Sequence, residues 1–245
     1  MPQDLAIKII KLSKSFRIPT EKTRSVRERF VNLKWRINSR NLDVLKNINL
    51  EVKKGEWLGI IGVNGSGKSS LLKLINNIYE PDEGTIEVSG RLVPFLELGV
   101  GFNPELSAAD NIFLNGTILG ITRKQIRAKF KEIVKFAGIG KFINLKLKNF
   151  SSGMNVRLGF SVAMQSSGDI FLLDEILAVG DYQFQQKTKR VFKRLKRLGR
   201  TVIFVSHDLL SIKRNCDRVI WLNRGRIMAE GDPETVVNRY THAKA

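Results

Sequence analysis

Eight consecutive residues, Gly62-Val63-Asn64-Gly65-Ser66-Gly67-Lys68-Ser69, constrain this chain more than any others in it. They fit G-x-x-x-x-G-K-[ST] and lie between an apolar segment suited to a strand, Trp57 to Gly62, and a helical one, Ser70 to Ile78. The glycines allow the backbone to wrap closely, so that successive N–H groups point at phosphate oxygens, and the following helix N-terminus adds positive potential. Lys68 is placed to neutralise β and γ phosphates, and the Ser69 hydroxyl to meet the Mg²⁺ that a triphosphate carries. Gly62, Asn64, Gly65, Ser66, Gly67, Lys68, Ser69 and Ser70 therefore form the expected nucleotide cradle.

A chain of 245 residues fits one α/β domain, or a domain with a lobe inserted into it. Its 42% hydrophobic content supplies a substantial core, and a mean hydropathy of −0.13 excludes both a disordered chain and a polytopic membrane protein. Runs such as Ile170 to Leu173 and Thr201 to Val205 meet charge too soon to span a bilayer and read as buried strands. The start MPQDLAIKIIK has no secretory pattern. A single cysteine, Cys216, excludes an internal disulfide, agrees with a reducing compartment, and reads as a small buried hydrophobe.

The net charge of +19 points to nucleic acid, an anionic membrane surface or an acidic partner. It is unevenly spread: residues 1 to 50 carry 12 basic against 4 acidic side chains, and residues 51 to 100 carry 5 against 7. Two basic concentrations, Arg17 to Arg40 and Lys187 to Arg200, read either as solvated faces or as docking surfaces. No RRM, KH or zinc-finger signature is present.

Apolar periodicity places strands at Leu5 to Leu12 and Asn41 to Val52. Between them Val26, Phe30, Leu33 and Ile37 recur at helical spacing, with Arg24, Arg27 and Arg36 mostly elsewhere, so a short basic amphipathic helix is expected over Thr23 to Ile37. Pro81 to Gly84 reads as a turn, and residues 104 to 165 as mainly helical, with Thr122 an N-cap and Gly138 or Gly140 a helix end. The remainder alternates: strand Ile170 to Asp174, helix Phe184 to Leu198, strand Thr201 to Ser206, helix Leu209 to Asn215, strand Arg218 to Asn223. That alternation implies a mainly parallel sheet covered on both faces.

An apolar strand ending in two carboxylates, Ile170-Phe171-Leu172-Leu173-Asp174-Glu175, supplies the second half of a triphosphate site. Asp174 is expected in the Mg²⁺ shell, and Glu175 is the natural group to polarise or deprotonate an attacking water, which favours ATP hydrolysis over transfer to a small acceptor.

With Phe150-Ser151-Ser152-Gly153-Met154 added, the chain resembles the ATP-binding-cassette (ABC) family over nearly its whole length. The five residues resemble the family signature L-S-G-G-Q in a variant form; Ala178 to Asp181 matches the D-loop position, and His207 the switch histidine. The resemblance implies an α/β P-loop (RecA-like) NTPase fold: a mainly parallel sheet, an antiparallel β portion and an inserted α-helical subdomain. Residues 1 to 245 would be one nucleotide-binding domain with core 1–98 and 166–245, helical subdomain about 99–165 and basic insertion about 17–40. It also implies a head-to-tail homodimer holding two ATP molecules, each between the cradle of one copy and Ser151 and Gly153 of the other, with Asp181 beside the nucleotide. The expected adenine-stacking aromatic aligns with Phe16, with a packed core Phe as the alternative. At the glutamine-loop position the chain reads Phe95-Leu96-Glu97-Leu98-Gly99, so Glu97 stands either as a substitute metal sensor or as a structural glutamate.

The stretches LELGVGFNPELSAADNIFLNGTILGI, NFSSGMNVRLGFSVA and DEILAVGDYQFQQK resemble the ATPase subunits of bacterial polysaccharide exporters. Implied partners are an integral membrane channel subunit, in two copies, and a lipid-linked polysaccharide; the implied location is peripheral, on the cytoplasmic face of the inner membrane. The basic insertion would face anionic headgroups or a pyrophosphate-linked substrate, or simply pack. No nucleic acid is expected, although a nucleic-acid ATPase of the same superfamily is the rival reading of the positive charge; the signature and Asp-Glu pair disfavour a P-loop kinase. Some members continue into a carbohydrate-binding β-sandwich, which this chain is expected to lack.

Overall fold

The computed structural model describes residues 2–19, 39–95, 101–174 and 182–243. The expected helix over Thr23 to Ile37, and the candidate residues Glu97, Glu175 and Asp181, lie outside them. In chain order the strands are β1 (Leu5–Pro19), β2 (Ser39–Lys53), β3 (Trp57–Ile61), β4 (Glu83–Val88), β5 (Leu92–Phe95), β6 (Ile170–Asp174), β7 (Thr201–Val205), β8 (Arg218–Asn223) and β9 (Arg226–Gly231). The helices are α1 (Lys68–Ile75), α2 (Ala108–Ile118), α3 (Arg123–Ala137), α4 (Ser152–Ala163), α5 (Tyr182–Arg197), α6 (Leu209–Asn215) and α7 (Pro233–His242).

Two sheets result. β2, β1 and β4 form an antiparallel three-stranded sheet. The second runs β5-β6-β7-β3-β8-β9, parallel throughout except for the antiparallel edge strand β9. Strands β3 and β7 are buried along their full length, which is why they read as uninterrupted apolar runs. One face of the larger sheet packs with α1 and the antiparallel sheet, joining Leu58, Ile60, Leu172, Ile203 and Ile220 to Leu71, Leu72, Leu12 and Leu50. The opposite face is covered by Phe160 of α4, Phe184, Phe192 and Leu195 of α5, Ile212 of α6, and Val236, Val237 and Tyr240 of α7. A third core, built on Ile112, Ile126, Ile133, Leu158 and Val162, joins α2, α3 and α4 into the helical lobe.

The helix over Ser70 to Ile78 instead begins at Lys68 and stops at Ile75, because Asn77 adopts a left-handed backbone (φ 56°) that ends the helical run. The turn expected at Pro81 to Gly84 leads directly into β4. Gly84 (φ 83°) is needed there, since a Cβ would stand 2.3 Å from the Ile10 carbonyl of the neighbouring strand. β1 runs on to Pro19 rather than ending at Leu12, and Arg17 pairs with Asn41 and Ile18 with Arg40, so both ends of the basic insertion are paired strand. α3 begins as expected: Thr122 and Gln125 exchange the two bonds of a capping box, and Gly138 in the left-handed region closes the helix.

Candidate nucleotide-binding site

The parallel register brings the candidate groups together. β3 delivers the loop Gly62 to Gly67, β6 delivers Asp174, and β7, whose Val205 lies opposite Asp174, delivers His207 two residues later. All three leave the C-terminal ends of adjacent strands, where open α/β sheets hold ligands.

The loop is built so closely that two of its glycines admit no side chain. A Cβ on Gly62 would stand 2.2 Å from the Leu222 carbonyl, and one on Gly67 (φ 108°) 2.8 Å from the Val44 carbonyl. Asn64 and Gly65, by contrast, form an exposed tip. The Lys68 ammonium reaches back across the loop and donates to the Gly62 and Val63 carbonyls at 2.9 Å each. Ser66 is buried and its Oγ has no hydrogen-bond partner, leaving an unsatisfied polar atom inside the curve of the loop. Ser70 is half-buried in the first turn of α1, which contains no acidic residue to cancel the positive potential of its N-terminus.

Ser69 and Asp174 are separated by 105 positions in the chain, yet Ser69 Oγ donates to Asp174 Oδ2 at 3.4 Å. A hydroxyl and a carboxylate are the hard oxygen donors that suit Mg²⁺, which takes one or two protein ligands and completes its shell with water and phosphate. The side chains fit that ion. His207 is exposed and fixed on both sides. Ser206 before it is buried and accepts the Asp208 N–H at 3.0 Å, while Asp208 caps α6 by accepting from the Leu210 and Ser211 N–H groups. Burial pushes the Asp208 carboxyl up, but the hydrogen bonds from Ser211 and Leu210 and the charge of Arg214 outweigh it and hold the group below its ordinary range.

Phe16 is half-buried near the end of β1 and not part of the core. Its ring meets Tyr79 edge-on, with centroids 5.2 Å apart, and Lys14 Nζ lies 5.5 Å from its centroid. Asp82 holds this corner together: Oδ1 accepts from Lys14 Nζ at 2.6 Å, and Oδ2 from the Ser15 N–H at 2.7 Å and hydroxyl at 2.9 Å. The Lys14 and Ser15 bonds draw the Asp82 carboxyl down to about 2. Sequence reasoning missed Tyr79 and Asp82. The only pointer to Asp82 is the strand pairing of Ser13 with Glu83, which sets Lys14 beside it.

Ser151 and Gly153 stand on a different element, at the start of α4 in the helical lobe. Ser151 is its N-cap and accepts from the Met154 N–H at 3.2 Å. Ser151 and Ser152 are exposed, and a Cβ on Gly153 would meet only Ser151 Oγ, at 4.0 Å. The turn thus presents an outward-facing helix N-terminus.

A family model described as ABC transporter matches residues 45–178. Over 250 residues the chain is 40% identical to the O-antigen export system ATP-binding protein RfbB of Myxococcus xanthus, covering 99% of this chain and 57% of that one. It is 40% identical to a Klebsiella pneumoniae protein of the same name over 85% of each chain. It is 39% identical to the teichoic acids export ATP-binding protein TagH of Lactococcus lactis, over 83% of this chain and 43% of that one. The chain thus spans between about two fifths and six sevenths of these relatives. Among solved structures, a dimeric ATP-binding cassette in a post-hydrolysis state with ADP and Pi superposes with a TM-score of 0.74 over 93% of this chain and 98% of that one, at 23% identity. An ATP-binding subunit of an ABC transporter does so with 0.76 over 98% and 95%, at 19% identity. The fold is that of an ABC cassette, and the chain belongs to the ABC transporter family.

Proposed function

We propose that this chain is the ATP-hydrolysing motor subunit of a bacterial exporter of lipid-linked polysaccharide, closing as a homodimer on two MgATP to drive a separate membrane channel. The observation that carries the nucleotide chemistry is the meeting of Ser69 with Asp174 beside the glycine loop. The export assignment is supported by relatives named for O-antigen and teichoic acid export. Among the described residues no helix is long and apolar enough to cross a membrane. A separate membrane channel, with this chain attached at its cytoplasmic face, is the reading that relatives named as the ATP-binding proteins of export systems support.

In this reading the loop N–H groups and Lys68 bind the triphosphate, and Phe16 stacks on the base. Ser69 and Asp174 would hold Mg²⁺, which would supply charge neutralisation at the phosphates when bound. Glu175 takes the proton of the attacking water, and His207, fixed between Ser206 and Asp208, contacts the γ-phosphate side. Ser151 and Gly153 cannot complete the cradle of their own chain in this account; they serve the cradle of a second copy, whose γ-phosphate meets the exposed helix N-terminus. Asp181 would lie beside the same interface, and Glu97 near the metal.

The test is size-exclusion chromatography with light scattering on Glu175→Gln. With MgATP the variant is expected to run as a dimer and to hydrolyse at least about a hundredfold more slowly than wild type, while ADP leaves it monomeric. A variant that stays monomeric with ATP, or hydrolyses at the wild-type rate, overturns the reading.

A further inference from the structure

The basic run from Lys187 to Arg200 has no part in the nucleotide site, and it borders a groove. The groove, of about 380 Å³, lies between the C-terminal half of α3 and α5 and is lined by Glu132, Lys135, Phe136, Lys187, Arg190, Val191 and Arg194. On α5 its residues sit at positions i, i+3, i+4 and i+7, one continuous stripe; on α3 they sit at i, i+3 and i+4. The floor is apolar, formed by half-buried Phe136 and Val191, and the rim is cationic.

The cations of this rim are differently employed. Lys187 Nζ donates to the Lys135 and Phe136 carbonyls at the C-terminus of α3 and ties the two helices together. The one acid in the lining, Glu132, is already paired with Lys129 at 3.0 Å. Among the described residues no carboxylate pairs with Lys135, Arg190 or Arg194, all of them exposed. Over Tyr182 to Arg197 the helix carries seven basic residues and no acidic one, so like charges stand one turn apart, as at Arg190 and Arg194. Such pairs repel weakly, and an external carboxylate seated between Arg190 and Arg194 would relieve the repulsion there.

We propose that the α3–α5 groove docks an acidic amphipathic helix of a protein partner, with apolar side chains seated on Phe136 and Val191 and carboxylates spaced by three or four residues on Lys135, Arg190 and Arg194. The apolar floor set between exposed cations selects this occupant. A flat anionic bilayer reaches only the rim cations, whereas a side chain projecting from a helix reaches the floor between them. The stripe spacing on α5 matches the spacing at which a second helix presents its own side chains.

The experiment measures fluorescence anisotropy of the full chain with a labelled helical peptide that carries two leucines four residues apart, flanked by glutamates. A second peptide replaces both leucines with serine. Co-sedimentation with mixed phosphatidylcholine and phosphatidylglycerol vesicles runs alongside. Wild type is expected to bind the leucine peptide at least about tenfold more tightly than the serine peptide, and Arg190→Glu/Arg194→Glu to lose at least about tenfold in affinity with ATPase rate and melting temperature unchanged. Lys135→Glu, on the other helix, is expected to weaken binding as well. Equal binding of the two peptides, binding indifferent to the Arg190 and Arg194 reversals, or vesicle binding that depends on these arginines while the peptide fails to bind, each overturns the proposal.

Discussion

Two glycine-containing turns of this protein are made in opposite ways. At the loop Gly62 to Gly67 the backbone is pressed between the Leu222 and Val44 carbonyls, the lysine is folded across it, and a serine is sealed beneath it. At Ser151 to Gly153 nothing presses: Ser151 caps the turn through the Met154 N–H, and among the described residues a Cβ on Gly153 would meet only Ser151 Oγ, at 4.0 Å. The first turn is held entirely by groups of its own chain. The second is an outward-facing helix end, and in the proposed dimer it would acquire its function from the copy that approaches it.

The contrast is sharpest under alanine substitution. Gly62→Ala is expected to cost about 2–3 kcal/mol, since a Cβ would stand 2.2 Å from the Leu222 carbonyl, and to abolish nucleotide binding; thermal melting should fall by ~4–12 °C. Gly153→Ala is expected to leave melting within about 0.5 kcal/mol of wild type while lowering steady-state ATPase about tenfold or more. If both alanines lower the melting temperature equally, the contrast between a built and an open half-site fails. Lys68→Ala, measured by titration calorimetry with MgATP, should weaken binding about a hundredfold with a smaller effect on folding.

A smaller effect is expected at the corner that carries Phe16. Asp82→Asn frees Lys14 and Ser15 and should raise the ATP KM a few-fold while leaving inorganic tripolyphosphate binding unchanged, because only the base contact is loosened. The sign of its pH effect follows from a folded carboxyl drawn down to about 2 from an ordinary 3.8. The contribution of Asp82 to stability is complete above that ordinary value and is lost as pH falls through about 2. Acid unfolding of wild type and Asp82→Asn should therefore converge at the acid end. Least of all, Cys216 should not react with Ellman's reagent at pH 8 in the folded protein and should react fully in denaturant, since burial pushes the thiol up to about 12.

Much of this was legible in the sequence because local rules and global packing agree. The apolar runs at Trp57, Ile170 and Thr201 are buried on both sides and advertise themselves as parallel strands, and Thr122, Gln125 and Gly138 mark the ends of α3 in their own chemistry. β9 was not legible, because as an edge strand it buries none of its residues fully. α7 went unread although Asp232 before Pro233 is an N-terminal signal, with Asp232 accepting the Thr235 N–H at 3.0 Å. The Phe16 corner depends on partners more than sixty residues away in Tyr79 and Asp82, and no local pattern encodes a pairing set by the register of β1 with β4. Cys216 was read as a small buried hydrophobe and is one.

One helix belongs to two cores. α4 places Leu158 and Val162 among the packed side chains of the lobe and Phe160 against the sheet, its ring 5.6 Å from Phe95 and 5.5 Å from Phe184. The capped serine lies at its outer tip, about 18 Å of rod from the inner end. Phe160 therefore links the lobe to Phe95, where β5 ends, and through the pairing of Phe95 with Leu173 to the strand that finishes at Asp174.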